Sequence, residues 1–507
     1  MLEARSDVDR DSSCTRAKET SCDVSVGMTE GRGRGLFAAR AMTEGATVLI
    51  ERPLVAMQSL DNTQDVAVCR NCLGFVGDLI LQLELLSGIP RHECLQRHEI
   101  RHQGDSEATT EQAGSLSGLH VCLQGCGEVY CSSECRADHL KRGHHLLCVG
   151  PVPEEEAETH PLVAFRVHAM QTNEIFLLVG EVIAQTVAAA FPSHPSSPDT
   201  TTTATTNNVD LASARAPFAD FVQEPWWNVA LPREGSSVKG GGCSRAASPR
   251  EASSVDGGCC SSAASPRERS SVDGGGCSRA ASLPETLRGL CEESSALLRS
   301  AFGTLPQAFL VEELTAERFG RVVGMFEQNN VGVRVSSPVP SLLRGVTAGP
   351  ELSGASIDEL AGLVGQIEEF QEDESDCDSG GEETGETVPV DREEGGIATL
   401  QKAAATERPD DMFAPLDGTA LYSLVCCMNH SCRPNCVVRY PRGASNSADS
   451  KASPLVAQVV LIEAVAAGDE LTQSYVDKEM GLLERRKALE DYGFLCRCPR
   501  CLEEDAA

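Results

Sequence analysis

Cysteine and histidine recur at ligand spacings in the first third of the sequence. Cys69-x2-Cys72 is followed, after a long gap, by Cys122-x3-Cys126-x4-Cys131-x3-Cys135-x8-His144-x3-Cys148. These eight ligands suffice for two tetrahedral Zn²⁺ ions, since thiolate and imidazole suit a borderline-soft ion without a geometric preference of its own. A closed shell of four protein ligands leaves no open position, so the expected role is structural, with metal holding a small fold together. His139 and His145 rival His144; the x3 spacing to Cys148 favours His144. Cys94, His92, His98 and His102 fall in the long gap and read as surface residues of an insertion. A second group of chemically capable segments lies near the other end. Residues 429–436 read Asn-His-Ser-Cys-Arg-Pro-Asn-Cys, residues 468–475 Gly-Asp-Glu-Leu-Thr-Gln-Ser-Tyr, and Cys496, Cys498 and Cys501 follow.

The chain that must position these residues has 507 amino acids, enough for about three domains or fewer with long insertions. Its 75 acidic residues outnumber its 43 basic ones, for a net charge of −32. Phosphate binding needs clustered positive charge, so direct nucleic-acid binding is disfavoured and a basic protein partner is favoured. No run approaches the ~20 apolar residues that span a bilayer, so no membrane role is expected. The polar start MLEARSDVDRDSSC lacks the apolar stretch of a secretory signal. Off that route the 23 cysteines read as metal ligands or reduced thiols rather than disulfides.

Along the chain, residues 1–24 are expected to be disordered. Gly-punctuated apolar runs after GRGRGL (31–36) suggest short strands. Residues 160–190 are apolar and Ala-rich, with no Gly or Pro from Leu162 to Val179, as in a helix. Residues 192–282 read as a disordered insert. Its last part holds three tandem copies of a 17-residue unit beginning PRE, too poor in apolar side chains to offset the entropy of ordering. Cys243, Cys259, Cys260 and Cys277 within it lack paired-ligand spacing. Residues 283–335 return to helical text, and 336–411 read as an acidic disordered loop. Within that loop, 368–394 carry 13 Asp/Glu against one Arg. Strand-like runs resume from 412, followed by a charged helix and the last cysteines.

The Tyr130–Cys135 block, YCSSEC, resembles a MYND finger. The alternating pairing of such fingers implies Cys69, Cys72, Cys131 and Cys135 on one zinc and Cys122, Cys126, His144 and Cys148 on the other. The GRGRGL, NHSCRPNC and GDELTQSY segments resemble the hallmarks of a SET-domain lysine methyltransferase, in that family's order. A finger lying between the first and second of these is the arrangement of SET and MYND domain (SMYD-type) protein-lysine methyltransferases. The wide gap in the finger, and the chain's end soon after the last cysteines, are most like the divergent fifth-member subgroup that lacks the C-terminal helical repeat domain.

The resemblance implies an α+β fold. A β-rich SET domain (25–68 and 412–478) is split by the MYND finger (69–148) and a helical insertion (149–191), and 283–335 is a further helical insertion that returns to the SET domain. A post-SET zinc segment (479–507) closes the chain. It implies S-adenosylmethionine as cofactor, with Arg32, Gly33 and Arg34 at its methionine end, Asn329 (Asn330 being its rival), Asn429, His430 and Tyr475 in contact, and Phe494 against the adenine. Tyr475 and Tyr492 are the implied catalytic tyrosines of the lysine channel. Cys432, Cys496, Cys498 and Cys501 are the implied third zinc set, tethering the segment that carries Tyr492 and Phe494. Lysine methylation is an in-line displacement at a sulfonium methyl, so positioning and electrostatics should carry most of the catalysis. The expected substrate is a basic protein, histone or ribosomal, in nucleus or cytoplasm. The alternative is a non-catalytic scaffold whose finger binds proline-rich peptides. ERRK at 484–487 is a weak import signal, set in an expected helix.

Overall fold

Among the described residues, short strands separated by Gly turns build three sheets of three or four strands, besides two two-stranded pairs. The computed structural model describes residues 23–102, 115–191, 211–230, 282–348, 354–376, 395–441, 454–490 and 492–506. Residues 1–22, nearly all of the 17-residue repeats and residues 377–394 of the acidic run lie outside the described residues. In the first sheet Val24–Thr29 pairs antiparallel with Gly33–Ala38. Gly33–Ala38 pairs antiparallel with Glu470–Gln473, which pairs parallel with Asn429–His430. Three motifs, the first nearly 400 residues from the second, thus become neighbours in one sheet. A second sheet runs Val55–Gln58, Leu416–Leu421, Val331–Val335, and a third Cys436–Arg439, Ala457–Leu461, Thr47–Glu51. Leu36, Leu49, Leu416, Tyr422, Met428, Val459 and Leu471 fill the core beneath them.

A helical body packs beside the sheets. Its members are Pro161–Thr172, Ile175–Ala190, Leu283–Ala301 and Ala316–Asn329. Leu283–Ala301 begins with a capping box, in which the Ser282 N–H donates to Glu285 Oε2 at 2.7 Å, and with Pro at its first turn. Residues 211–230 correct the expectation of a wholly disordered insert. They hold helices Leu211–Arg215 and Trp226–Val229 and bury Phe218, Phe221, Trp226 and Trp227 against the body. Four aromatics in ten residues, each hiding roughly 150–250 Å², are enough apolar surface to order a short segment.

Residues 336–411 also differ from the expected loop. They contain helices Val339–Ala348, Gly354–Asp376, Gly396–Ala404 and Pro409–Met412. Val339, Leu343 and Val346, then Leu360, Val364 and Ile367, recur at helical spacing and bury together with Leu400 and Phe413. The overall acidity had masked this period. The same core takes in Leu79 and Leu83 from helix Leu79–Leu86 in the long gap of the cysteine string. Each insertion therefore covers the other's apolar face. Helix Arg91–Arg101 follows, and its Cys94 is fully buried and His98 nearly so, correcting their reading as surface residues. Among the described residues no helix is long and apolar enough to cross a membrane.

Candidate active site

Long loops and short strands gather the cysteines into three clusters whose ligand atoms lie within mutual reach of one ion. Cys69, Cys72, Cys131 and Cys135 form one, with Cys69–Cys135 sulfurs 3.6 Å apart and Cys72–Cys131 3.7 Å. Cys122, Cys126, His144 and Cys148 form the next, with His144 Nε2 3.4 Å from Cys122 Sγ and 3.5 Å from Cys126 Sγ. His139 and His145 are engaged elsewhere. His139 Nδ1 meets the Tyr130 hydroxyl at 3.0 Å, and His145 Nδ1 donates to Leu140 O at 2.9 Å. Gly143, at φ 124°, lets the chain before His144 press on the backbone of helix Ile175–Ala190, where a Cβ would strike Ala184. Beside it Arg70 donates to buried Glu181 at 2.6 Å. Burial alone would raise the Glu181 carboxyl, but Arg70 and His139 bring it down to about 2.

Cys432, Cys496, Cys498 and Cys501 form the third cluster, with Cys432 Sγ 3.9 Å from Cys496 Sγ and 3.5 Å from Cys501 Sγ. Arg485 is fully buried beside it, donating to Met480 O at 2.6 Å and Glu504 Oε2 at 2.5 Å. The ERRK segment is therefore part of this packing, with its first arginine hidden. Arg500 donates to Lys478 O and Arg433 pairs with Glu503, stitching the C-terminal segment to the sheet region.

The four-stranded sheet sets out the central site. Asn429 Nδ2 donates to Arg34 O at 3.0 Å and to Glu470 Oε1 at 2.8 Å. Arg32 pairs with Glu470 Oε2 at 2.5 Å and Thr29 Oγ1 donates to Oε1 at 3.3 Å. The Arg34 guanidinium lies over the Phe221 ring, 5.7 Å from its centroid. Asn329 reaches this group at one remove, donating to Val222 O at 3.3 Å and to Met325 O at 2.7 Å. Asn435 ties the motifs together, donating to Glu470 O and accepting the Thr472 N–H, each at 2.8 Å.

Four rings close the other side. His430, Tyr475, Tyr492 and Phe494 lie with centroids 5.0–6.4 Å apart in tilted and edge-on pairs. Tyr475 donates its hydroxyl to Met428 O at 2.6 Å and its backbone N–H to His430 Nδ1 at 3.0 Å. Burial, then the charge of Arg485, lowers His430 to about 4, so the ring is neutral. Accepting at Nδ1, it carries its proton on Nε2 and points it at Cys432 Sγ, 3.2 Å away. Burial pushes the Tyr475 phenol up, keeping it a neutral donor. Tyr492 and Phe494 are each 37% exposed, at the solvent side of the group.

No protein-family model matches the chain. Over 94% of its length it is 23% identical to a histone-lysine N-methyltransferase of Arabidopsis thaliana (ATXR2), covering 89% of that protein. It is 24% identical to the protein-lysine N-trimethyltransferase SMYD5 of Gallus gallus, again over 94% of the chain and covering 85% of the relative. A SET and MYND domain-containing protein of Dictyostelium discoideum is 36% identical over 18% of the chain and 24% of its own length. The chain is thus similar over nearly its whole length to protein-lysine methyltransferases, and over a shorter stretch to a SET and MYND domain protein. Within the chain the sheet brings together Arg32, Gly33, Arg34, Asn429 and His430, and the aromatic group holds Tyr475, Tyr492 and Phe494. Glu470, Asn435, Phe221 and Glu51 were not singled out from the sequence. Glu470 and Asn435 sit inside the quoted motifs, which is signal enough to find them. Glu51 accepts the N–H groups of Leu424 (3.0 Å) and Val425 (2.9 Å), holding the turn that leads into Asn429, and nothing local in the sequence marks it.

Proposed function

We propose that this methyltransferase uses S-adenosylmethionine to methylate lysine on a basic protein, a histone or a ribosomal protein. The observation that carries the reading is the junction of Gly33–Ala38, Glu470–Gln473 and Asn429–His430 beside the Tyr475 ring cluster. The residues there fit the cofactor. Gly31 and Gly33 have positive φ and face open space, which leaves bare backbone for a close-lying group. Arg32 and Arg34 offer donors for a carboxylate, Glu470 an acceptor for an ammonium, and Asn429 an amide. Asn329, the His430 backbone and the Phe494 ring complete the set that would hold it. Bound there, the cofactor supplies an electrophilic sulfonium methyl.

The chain's own part is positioning. Tyr475, Tyr492 and Phe494 line an aromatic passage that suits the apolar stem of a lysine. Desolvation there favours the neutral amine, the form with a free lone pair. The Tyr475 hydroxyl, fixed by Met428 O, orients what stands beside it. The donor chemistry of the three clusters fits Zn²⁺ at three structural sites. The third would hold the segment bearing Tyr492 and Phe494. The net charge of −32 supports a basic substrate. We place the reaction in the nucleus or cytoplasm, with the finger open to proline-rich peptides.

The test is a calorimetric titration of S-adenosylmethionine into zinc-loaded protein, paired with methyl transfer to histones and ribosomal proteins. Stoichiometric binding lost in Asn429→Ala, with labelled lysine in either substrate class, is expected. Folded, zinc-loaded protein that binds no cofactor would overturn the reading.

A further inference from the structure

Helix Arg91–Arg101 presents two imidazoles, His98 and its C-cap His102, on one face, because they are four residues apart. They face the start of helix Leu79–Leu86, whose N-cap is Asp78. Asp78 Oδ1 caps that helix, accepting the Leu81 N–H at 2.8 Å. Its other oxygen, Oδ2, looks out at both rings. His102 Nε2 stands 2.9 Å from it and His98 Nε2 3.6 Å, with the ring centroids 4.4 Å apart.

We propose that Asp78, His98 and His102 form a further metal site, for a divalent transition ion of the zinc class. This inference is independent of the methyltransfer reading. Hydrogen bonding to Asp78 accounts for His102, but 3.6 Å is too long for His98. One ion at about 2.0–2.1 Å from each donor accounts for both, since tetrahedral donors at that radius stand about 3.3 Å apart. All three ligand atoms lie within 4.8 Å of one another, as do those of each cysteine cluster. The His98–Asp78 separation of 3.6 Å is close to those between His144 and its two cysteines, 3.4 and 3.5 Å, and the His102–Asp78 separation of 2.9 Å is shorter.

The neighbouring charges favour a cation. Arg101 approaches Asp78 Oδ1 to 3.9 Å but is held by buried Glu84 at 3.0 and 3.2 Å. Arg97 pairs with Glu93 at 2.5 Å. Asp78 Oδ2 is therefore left facing the two imidazoles. Two imidazoles and a carboxylate suit zinc, cobalt or nickel better than calcium or magnesium. With three protein donors the fourth position is left to water, so this site binds more weakly than the cysteine clusters. Its effect is to clamp the end of helix Arg91–Arg101 onto the start of helix Leu79–Leu86, which lies between the finger and the 339–404 helices.

The experiment uses the full chain, purified with its tightly held zinc and passed through a weak chelator. Co²⁺ is then added and followed by absorption, with bound metal counted by mass spectrometry. One further equivalent is expected, with d–d bands and no thiolate charge-transfer bands. The pair His98→Ala with His102→Ala should lose that equivalent and keep the cysteine-bound zinc. Asp78→Asn preserves the helix cap, since Asn caps as well as Asp, and should weaken Co²⁺ binding at least tenfold. No thiolate-free equivalent in the wild-type chain would overturn the proposal. So would equal binding in the folded Asp78→Asn and wild-type proteins.

Discussion

Replacing Tyr475 with Phe removes one hydroxyl and nothing else. In the folded chain that hydroxyl donates to the carbonyl of Met428, a fully buried residue, at 2.6 Å. Leaving a buried acceptor unsatisfied costs roughly 1–3 kcal/mol, and the more apolar Phe ring returns part of it, so a net loss of about 1 kcal/mol in stability is expected. The effect on rate should be larger. A positioned donor in a water-excluded site is worth roughly 2.7–4 kcal/mol at the transition state, a fall of about 10²–10³ in kcat. Cofactor affinity should fall less than about tenfold, because at most one hydrogen bond worth roughly 0.5–1.5 kcal/mol is lost. Burial raises the Tyr475 pKa, so the phenol stays neutral through the working range and is no base. The pH–rate curves of variant and wild type should therefore share one shape. The assay is single-turnover transfer of labelled methyl to lysine, beside calorimetry of the cofactor. Turnover within tenfold of wild type, or a loss found wholly in binding, would refute the reasoning.

Further outcomes can be worked out in the same way. Cys496→Ser with Cys498→Ser should release one zinc equivalent and lower kcat at least tenfold with little change in circular dichroism, because Tyr492 and Phe494 lose their tether. Arg70→Met strands buried Glu181 without its cation and should cost about 3–5 kcal/mol by urea denaturation. Arg70→Met with Glu181→Leu should recover much of that. Burial raises the Glu51 carboxyl despite its backbone donors, so its stabilising contribution is present below the unfolded value and is lost as pH rises through the folded one. The stability margin of wild type over Glu51→Gln should thus shrink as pH rises above the ordinary carboxylate range; a margin that grows would contradict it.

Much of the chemistry was legible because it sits in short motifs. Ligand spacing named eight metal-binding candidates and the family resemblance four more, and the structure gathers all twelve into three clusters. The helices at 339–404 were less legible, although their Val339–Leu343–Val346 and Leu360–Val364–Ile367 periods are present in the sequence. Net acidity argued for a solvated loop, and only the apolar face of helix Leu79–Leu86, far away in sequence, gives that stripe something to bury against. The 211–230 segment was hidden similarly, since its aromatics are flanked by low-complexity text and their partners lie in helices before and after it.

By itself the sequence determined the residue types, their spacing and hence the classes of chemistry available: thiolate and imidazole sets for zinc, Gly-rich backbone, and tyrosines flanked by a second aromatic. Those properties are local, carried by a few consecutive residues. Tertiary structure alone decided that Glu470 would join Arg32 to Asn429, that Glu51 would brace the turn before Asn429, and that His430 would link Tyr475 to Cys432. These contacts depend on strand register and on close approach between distant segments. Register follows from the burial of whole faces of the sheet, and no window of neighbouring residues contains that information.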